Sequence, residues 1–181
     1  MKKTVLTFGL ISGAISSLIM VAIVPFGDRI GIDKGQFLGY TSIVLSFLLV
    51  FFGIRSYRDN EGDGQITFAK GFAVGISITV ISCICYVVTW EIVYYNFMPH
   101  FWDKYGANLA EKLKASGASP AAVQARLQEV TKYKELYKNP LYNAALTFIE
   151  PFPIGLVITL LSAAVLRKKP QSQPQPAALA S

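Results

Sequence analysis

The residues of this chain best suited to chemistry are two carboxylates set in otherwise apolar stretches. Glu150 stands in TFIEPFPIGL (147–156) beside Pro151 and Pro153, and Glu91 stands in TWEIVYYN. On a helix, Asn143, Thr147 and Glu150 recur at spacings of four and three and make one polar stripe. Glu91 shares a face with Tyr94 and Tyr95, whose hydroxyls can donate to it. Acidic side chains within apolar spans are costly and usually face a bundle interior or a wet cavity. One reading is therefore a polar pocket in which Glu91 and Glu150 bind a cation, a proton or a cationic group. The other is structural: Glu91 reaches the membrane interface, and Glu150 satisfies polar groups freed by the prolines.

Those prolines bear directly on the second reading. Pro151 removes a hydrogen bond to the Thr147 carbonyl and Pro153 one to the Ile149 carbonyl, so a helix here should kink and leave two carbonyls needing partners. Glu150 falls about 14 Å from the end of its apolar run, and Glu91 about 6 Å from the end of its own. A charge as deep as Glu150 is disfavoured by desolvation, and no Lys or Arg lies within its span. It is expected to be mainly protonated at neutral pH.

Other chemistry has little to build on. His100 has Asp103 one turn away, but no Ser or Cys nucleophile is spaced to complete a triad. Cys83 and Cys85 sit two apart on a helix, so their side chains diverge and read as buried thiols. DNEGDG, after Arg58, lacks the spacing and the closing Glu of a calcium loop. No catalytic, cofactor-binding or metal-ligating residue is assigned, and no cofactor is expected.

The elements that must position the carboxylates follow from composition. The chain is 52% hydrophobic and only 15% charged over 181 residues, where soluble domains carry roughly 25% charge. Apolar runs long enough to cross a bilayer cover about 4–26, 38–54, 72–95 and 141–166. An all-α, integral membrane four-helix bundle is predicted, a single domain over 1–169 followed by a disordered, Pro- and Gln-rich tail over 170–181. Small residues let membrane helices approach closely. They line each span: Gly9, Gly13 and Ser17; Gly39, Ser42, Ser46 and Gly53; Gly71, Gly75, Thr79 and Ser82; Gly155, Thr159 and Ser162.

Between the third and fourth runs, about 97–139, apolar residues recur at helical spacing in two blocks. SGASP separates them, with Gly117 as a C-cap, Ser119 as an N-cap and Pro120 at the first helical position. A helical hairpin is predicted, resting on the bilayer interface or capping the bundle through Phe97, Phe101, Trp102, Tyr137 and Tyr142. Lys2, Lys3, Arg55, Arg58, Lys70, Arg167, Lys168 and Lys169 sit directly against span ends, whereas most cations of the opposite side lie deep in the long loop. The positive-inside rule then puts both termini in the cytoplasm and the hairpin outside. The net charge of +6 is on this reading mostly a topology signal, not a nucleic-acid footprint.

The stretches GYTSIVLSFLLVFFGIRSYRD, GQITFAKGFAVG, YVVTWEIVYYNFMPHFWDKY, KNPLYNAALTF and EPFPIGLVITLLSAAVLRK resemble an uncharacterised family of bacterial four-span membrane proteins, a domain of unknown function. The resemblance reaches to Lys169 and implies a bacterial inner-membrane location, but no activity. The first reading of function is a non-enzymatic membrane protein acting by self-association or by support of a membrane partner, with the lipid bilayer as its surroundings. The alternative is a small transporter or cation- or proton-binding protein using Glu91 and Glu150, and a third is an enzyme acting on lipid.

Overall fold

Where glycines and prolines fall decides where the helices of this protein begin and end. The computed structural model describes residues 1–168, apart from the side chains of Asp28, Ile32 and Asp33, and the tail expected over 170–181 lies outside the described residues. The first helix, α1 (Lys2–Ile23), gives way at Pro25 to a 3-10 turn, Val24–Phe26, and a short α2 (Gly27–Ile30). Gly31, at φ +77°, then turns the chain into α3 (Ile32–Glu61). Left-handed Asp63 and Gly64 reverse it. The Thr67 hydroxyl caps the next helix, α4 (Phe68–Phe97), by accepting from the Lys70 N–H.

Pro99 ends α4, and α5 (Phe101–Ala115) follows. Gly117 is left-handed at φ +77°, and the Ala118 N–H bonds back to the Leu113 carbonyl at 2.9 Å, as in a Schellman cap. Ser119 caps α6 (Pro120–Leu136), with Pro120 in its first turn, as the spacing predicts. Asn139 caps α7 (Pro140–Ile149), and after Glu150 and Pro151 the chain resumes as α8 (Phe152–Leu166).

The fold is all-α, with four helical stretches long and apolar enough to cross a membrane: Lys2–Phe26, Lys34–Glu61, Phe68–Phe97 and Pro140–Leu166. They contain the four predicted runs, and α3 in particular outlasts its run by two turns at the Glu61 end. Leu18, Phe37, Leu141, Ile149, Leu161 and Val165 are all more than half exposed. Apolar surface on that scale suits hydrocarbon and not water.

Close backbone approach holds the long helices together. A Cβ on Gly13 would lie 2.5 Å from the Cys85 Cβ, and one on Gly9 2.9 Å from Ile81, so α1 lies directly on α4. Gly75 is wedged between Ile54 of α3 and Thr159 of α8, while Gly155 meets Thr79 and Phe47. Hydroxyls tie the same contacts. Ser82 Oγ donates to Ser12 Oγ at 2.8 Å, and Ser12 Oγ donates to the Ser46 carbonyl at 2.8 Å, joining α4, α1 and α3 in one chain. Thr79 and Thr159 pair at 3.0 Å between α4 and α8. Such bonds between membrane helices contribute about 0.6–2 kcal/mol each.

The sequence-based stripes need two amendments. Ser12 and Ser16 are buried on α1 beside Gly9 and Gly13, although neither was singled out. Gly39 was assigned to the packing stripe of α3, yet nothing lies within 4 Å of a Cβ placed there. The reason is that α3 packs along α8, while its contacts with α7 are slight, so its Gly39 end has no helix opposite.

The start of α1 and Lys168, just past α8, meet the turn between α3 and α4. The Met1 ammonium and the Thr4 hydroxyl contact Glu61, and Ile66 exchanges two backbone hydrogen bonds with Lys168 at 3.0 and 2.9 Å. At the other end, α5 and α6 run side by side, Gly106 fitting against Val130 and Leu127. Their apolar stripes face each other, with Val123 and Val130 buried.

Gly155→Ala should cost about 1–3 kcal/mol, because its methyl overpacks the contact with Thr79 and Phe47. Gly35→Ala, on an open face of α3, should be neutral or add up to about 1 kcal/mol through helix propensity. Reversible unfolding in mixed detergent micelles measures both.

Candidate functional site

The sequence stripe Asn143, Thr147 and Glu150 lies on the helix that the prolines interrupt, and its members meet different surroundings. Asn143 and Thr147 are buried on α7 against α4, at 0% and 3% exposure. Asn143 Oδ1 accepts from Trp90 Nε1 at 3.0 Å and from Thr147 Oγ1 at 3.2 Å. The amide nitrogen Nδ2 is buried with no hydrogen-bond partner. No sequence spacing marks Trp90, although it stands beside Glu91 in TWEIVYYN.

Glu150 behaves differently. α7 stops at Ile149, Pro151 is buried, and the hydrogen-bond ladder resumes with the Gly155 N–H on the Pro151 carbonyl at 3.1 Å. The helix is interrupted between Ile149 and Phe152. Glu150, the residue at the break, is exposed from the protein, facing the opening where α3 and α7 separate. The Tyr40 hydroxyl of α3 is a side-chain hydrogen-bond partner of its carboxyl, and Tyr86 of α4 and Tyr137 just past α6 lie within reach of its charge. Its nearest side-chain partner thus comes from a neighbouring span.

Glu91 does not join this group. It sits about 100° further round α4 than Trp90, which faces α7. Its carboxyl is half-buried, with Oε1 lacking a hydrogen-bond partner. Tyr95 does not serve it, contrary to the sequence reading, because its hydroxyl donates to the Tyr137 carbonyl at 2.8 Å. Tyr94 lies in an aromatic cluster whose ring centroids stand 5.5 Å apart for Trp90 and Phe101, 5.7 Å for Tyr94 and Tyr137, and 4.9 Å for Trp102 and Tyr137. This cluster, with Trp102 stacked on Tyr133 at 5.9 Å, joins α5, the end of α6 and the end of α4.

The chemistry open to this arrangement is hydrogen bonding and ion or proton binding at Glu150. Cys83 and Cys85 are unpaired thiols, one buried and one half-buried. Among the described residues, no three His, Cys, Asp or Glu side chains converge as a metal would require. His100 Nδ1 lies 3.8 Å from Asp103, but the shorter contact of that carboxylate is with Lys134 Nζ at 2.5 Å, across α5 and α6.

The Lys134 hydrogen bond, with smaller help from the Lys134 and His100 charges, holds the Asp103 carboxyl below its ordinary value of 3.8. A depressed folded value means the contact contributes above the unfolded value and is lost as pH falls through the folded one. Trp102 fluorescence, which reports the stack on Tyr133, should therefore change on acidification below about pH 4. Asp103→Asn should remove that change.

No curated protein and no solved structure matches the chain. Residues 7–168, from within α1 to the Lys168 bridge, match the family described as Protein of unknown function (DUF4199), and the chain belongs to that family.

Proposed function

We propose that this chain is a non-enzymatic, multi-pass protein of the bacterial inner membrane that acts by association, with itself or with a membrane partner. In this reading residues 1–169 are one domain, a four-helix bundle with both termini cytoplasmic and α5–α6 as an extracytoplasmic hairpin. It needs no cofactor and binds no nucleic acid.

The observation that carries the reading is the Gly39 end of α3. The other glycines of the long helices, Gly9, Gly13, Gly53, Gly71, Gly75 and Gly155, are closed by other helices of the same chain, whereas Gly35 and Gly39 have open space and Phe37 beside them is 71% exposed. Glycine within a helix costs about 1 kcal/mol relative to Ala. A second helix lying against that face would offset the cost through close packing. Copies labelled with donor and acceptor dyes, reconstituted in vesicles, test this. Energy transfer should fall in Gly39→Ile while unfolding stability is kept. If the wild type shows no transfer, and a photo-crosslinker at Phe37 captures only lipid, the association reading fails.

A second reading has its own support: Glu150 as a proton or cation site. A carboxyl at the break of a span, exposed from the protein and hydrogen-bonded to Tyr40, is a costly feature to keep in hydrocarbon without a ligand. Glu91 has no part in this version.

The orientation has a separate test. A periplasm-active phosphatase fused within 115–119 should be active, and one fused after Ser181 should be silent. The opposite pattern would reverse the topology.

A further inference from the structure

We infer that the end of the molecule carrying the α3–α4 turn is a docking surface for phospholipids with anionic headgroups, held by Lys2, Lys3, Lys70, Arg167 and Lys168. This goes beyond both readings of function above and does not depend on which way the protein is inserted.

The charges of the two ends are balanced differently. At the α5–α6 end three cations are paired, Lys134 with Asp103 at 2.5 Å, and Arg126 with Glu129 and Lys138 with Glu135 at 2.7 Å. At the opposite end the carboxylates are already taken. Asp59 holds Arg58 at 2.7 Å and Arg55 at 3.6 Å, and Glu61 holds the Met1 ammonium. Lys2, Lys3, Lys70, Arg167 and Lys168 are exposed, and among the described residues none of them forms an ion pair with a carboxylate. Asp63 is the one other acidic residue of the turn, too little to neutralise them. Lys70 Nζ stands 5.7 Å over the Tyr57 ring, which attracts a cation without cancelling its charge.

The fold gathers these cations at one level. Lys3, Lys70 and Arg167 each stand within two residues of the end of an apolar run, about 3 Å at helical rise. The chain past α8 returns to the start of α4, where Ile66 and Lys168 exchange hydrogen bonds at 3.0 and 2.9 Å. A Cβ on Gly71, next to Lys70, would lie 3.4 Å from the Ala163 Cβ. Glu61 draws the start of α1 to the same turn. Cations at the limit of the hydrocarbon meet headgroup phosphates, and each adds to the attraction of an anionic surface.

A free phosphate would use only the charges, whereas this surface is amphipathic. Lys3, Leu6 and Leu10 recur at spacings of three and four and share one face of α1. The two leucines are 51% and 53% exposed. An acyl chain lies along them while its phosphate meets the lysines. The same order holds at α8, where Leu161 and Val165 are exposed beneath Arg167.

Spin-labelled lipids in phosphatidylcholine vesicles containing the whole protein test this. The measured quantity is how much phosphatidylglycerol label the protein immobilises relative to phosphatidylcholine label. The wild type should prefer phosphatidylglycerol by about fivefold or more, the equivalent of one cation at an anionic surface, and less at high salt. Lys2→Gln with Lys3→Gln, and separately Lys70→Gln with Arg167→Gln, should each reduce that preference by about half or more. Lys114→Gln with Lys132→Gln, which removes the same charge from the α5–α6 end, should leave it unchanged. Equal immobilisation of the two labels by the wild type would overturn the proposal. So would an equal loss in the Lys114 and Lys132 pair, which makes net charge the cause, or an undiminished preference in both pairs from the α3–α4 end. Those two pairs sit on different spans, so one remains informative if the other fails to fold.

Discussion

The contact on which the rest of this structure depends is the near touching of backbones along α4. Gly13 brings α1 onto it, while Gly75 and Gly155 seat α3 and α8 against it. In a bilayer the tails compete with side chains for every apolar surface, so greasiness alone cannot hold two helices together. Removing side chains from the contact can, because it lets main-chain atoms and short hydroxyls meet. The Ser82–Ser12–Ser46 chain and the Thr79–Thr159 pair exist only because the helices come this close.

The proline break turns one span into two rods with different loyalties. α8 is held by α3 and α4, with Thr159, Ser162 and Ala163 buried. α7 packs on α4 through Trp90 and Asn143 and leaves α3 at the level of Glu150. The opening between α3 and α7, the exposed Glu150 and the unaccompanied Gly39 are three results of that single divergence.

Much of this was legible in the sequence, and the limits follow a physical line. Features set by local chain chemistry were readable: the turn at Gly117, the cap at Ser119 with Pro120 in the first turn, and the span limits. Which side of a helix faces a neighbour was readable only where the neighbour runs its full length. The spacing of Gly39 with Ser42 and Ser46 is the same as in a packed stripe, and nothing local says that α7 turns away from it. Tyr95 was matched with Glu91 by helical spacing, but a carbonyl at the far end of α6 lies nearer its hydroxyl. The grouping of Glu150 with Tyr40, Tyr86 and Tyr137 joins four separate segments, and no periodicity within one segment encodes that.

The bridge between Ile66 and Lys168 bears on how the protein is made. A chain emerging from its N-terminus completes α3, the turn and α4 long before Lys168 exists. Until then the N–H and C=O of Ile66 lack the partners they have in the finished fold. They acquire them only once the last span has threaded back to the end where Met1 already meets Glu61. The turn between α3 and α4 is thus the place where a nascent chain differs from a finished one, a seal closed by Lys168, just past α8.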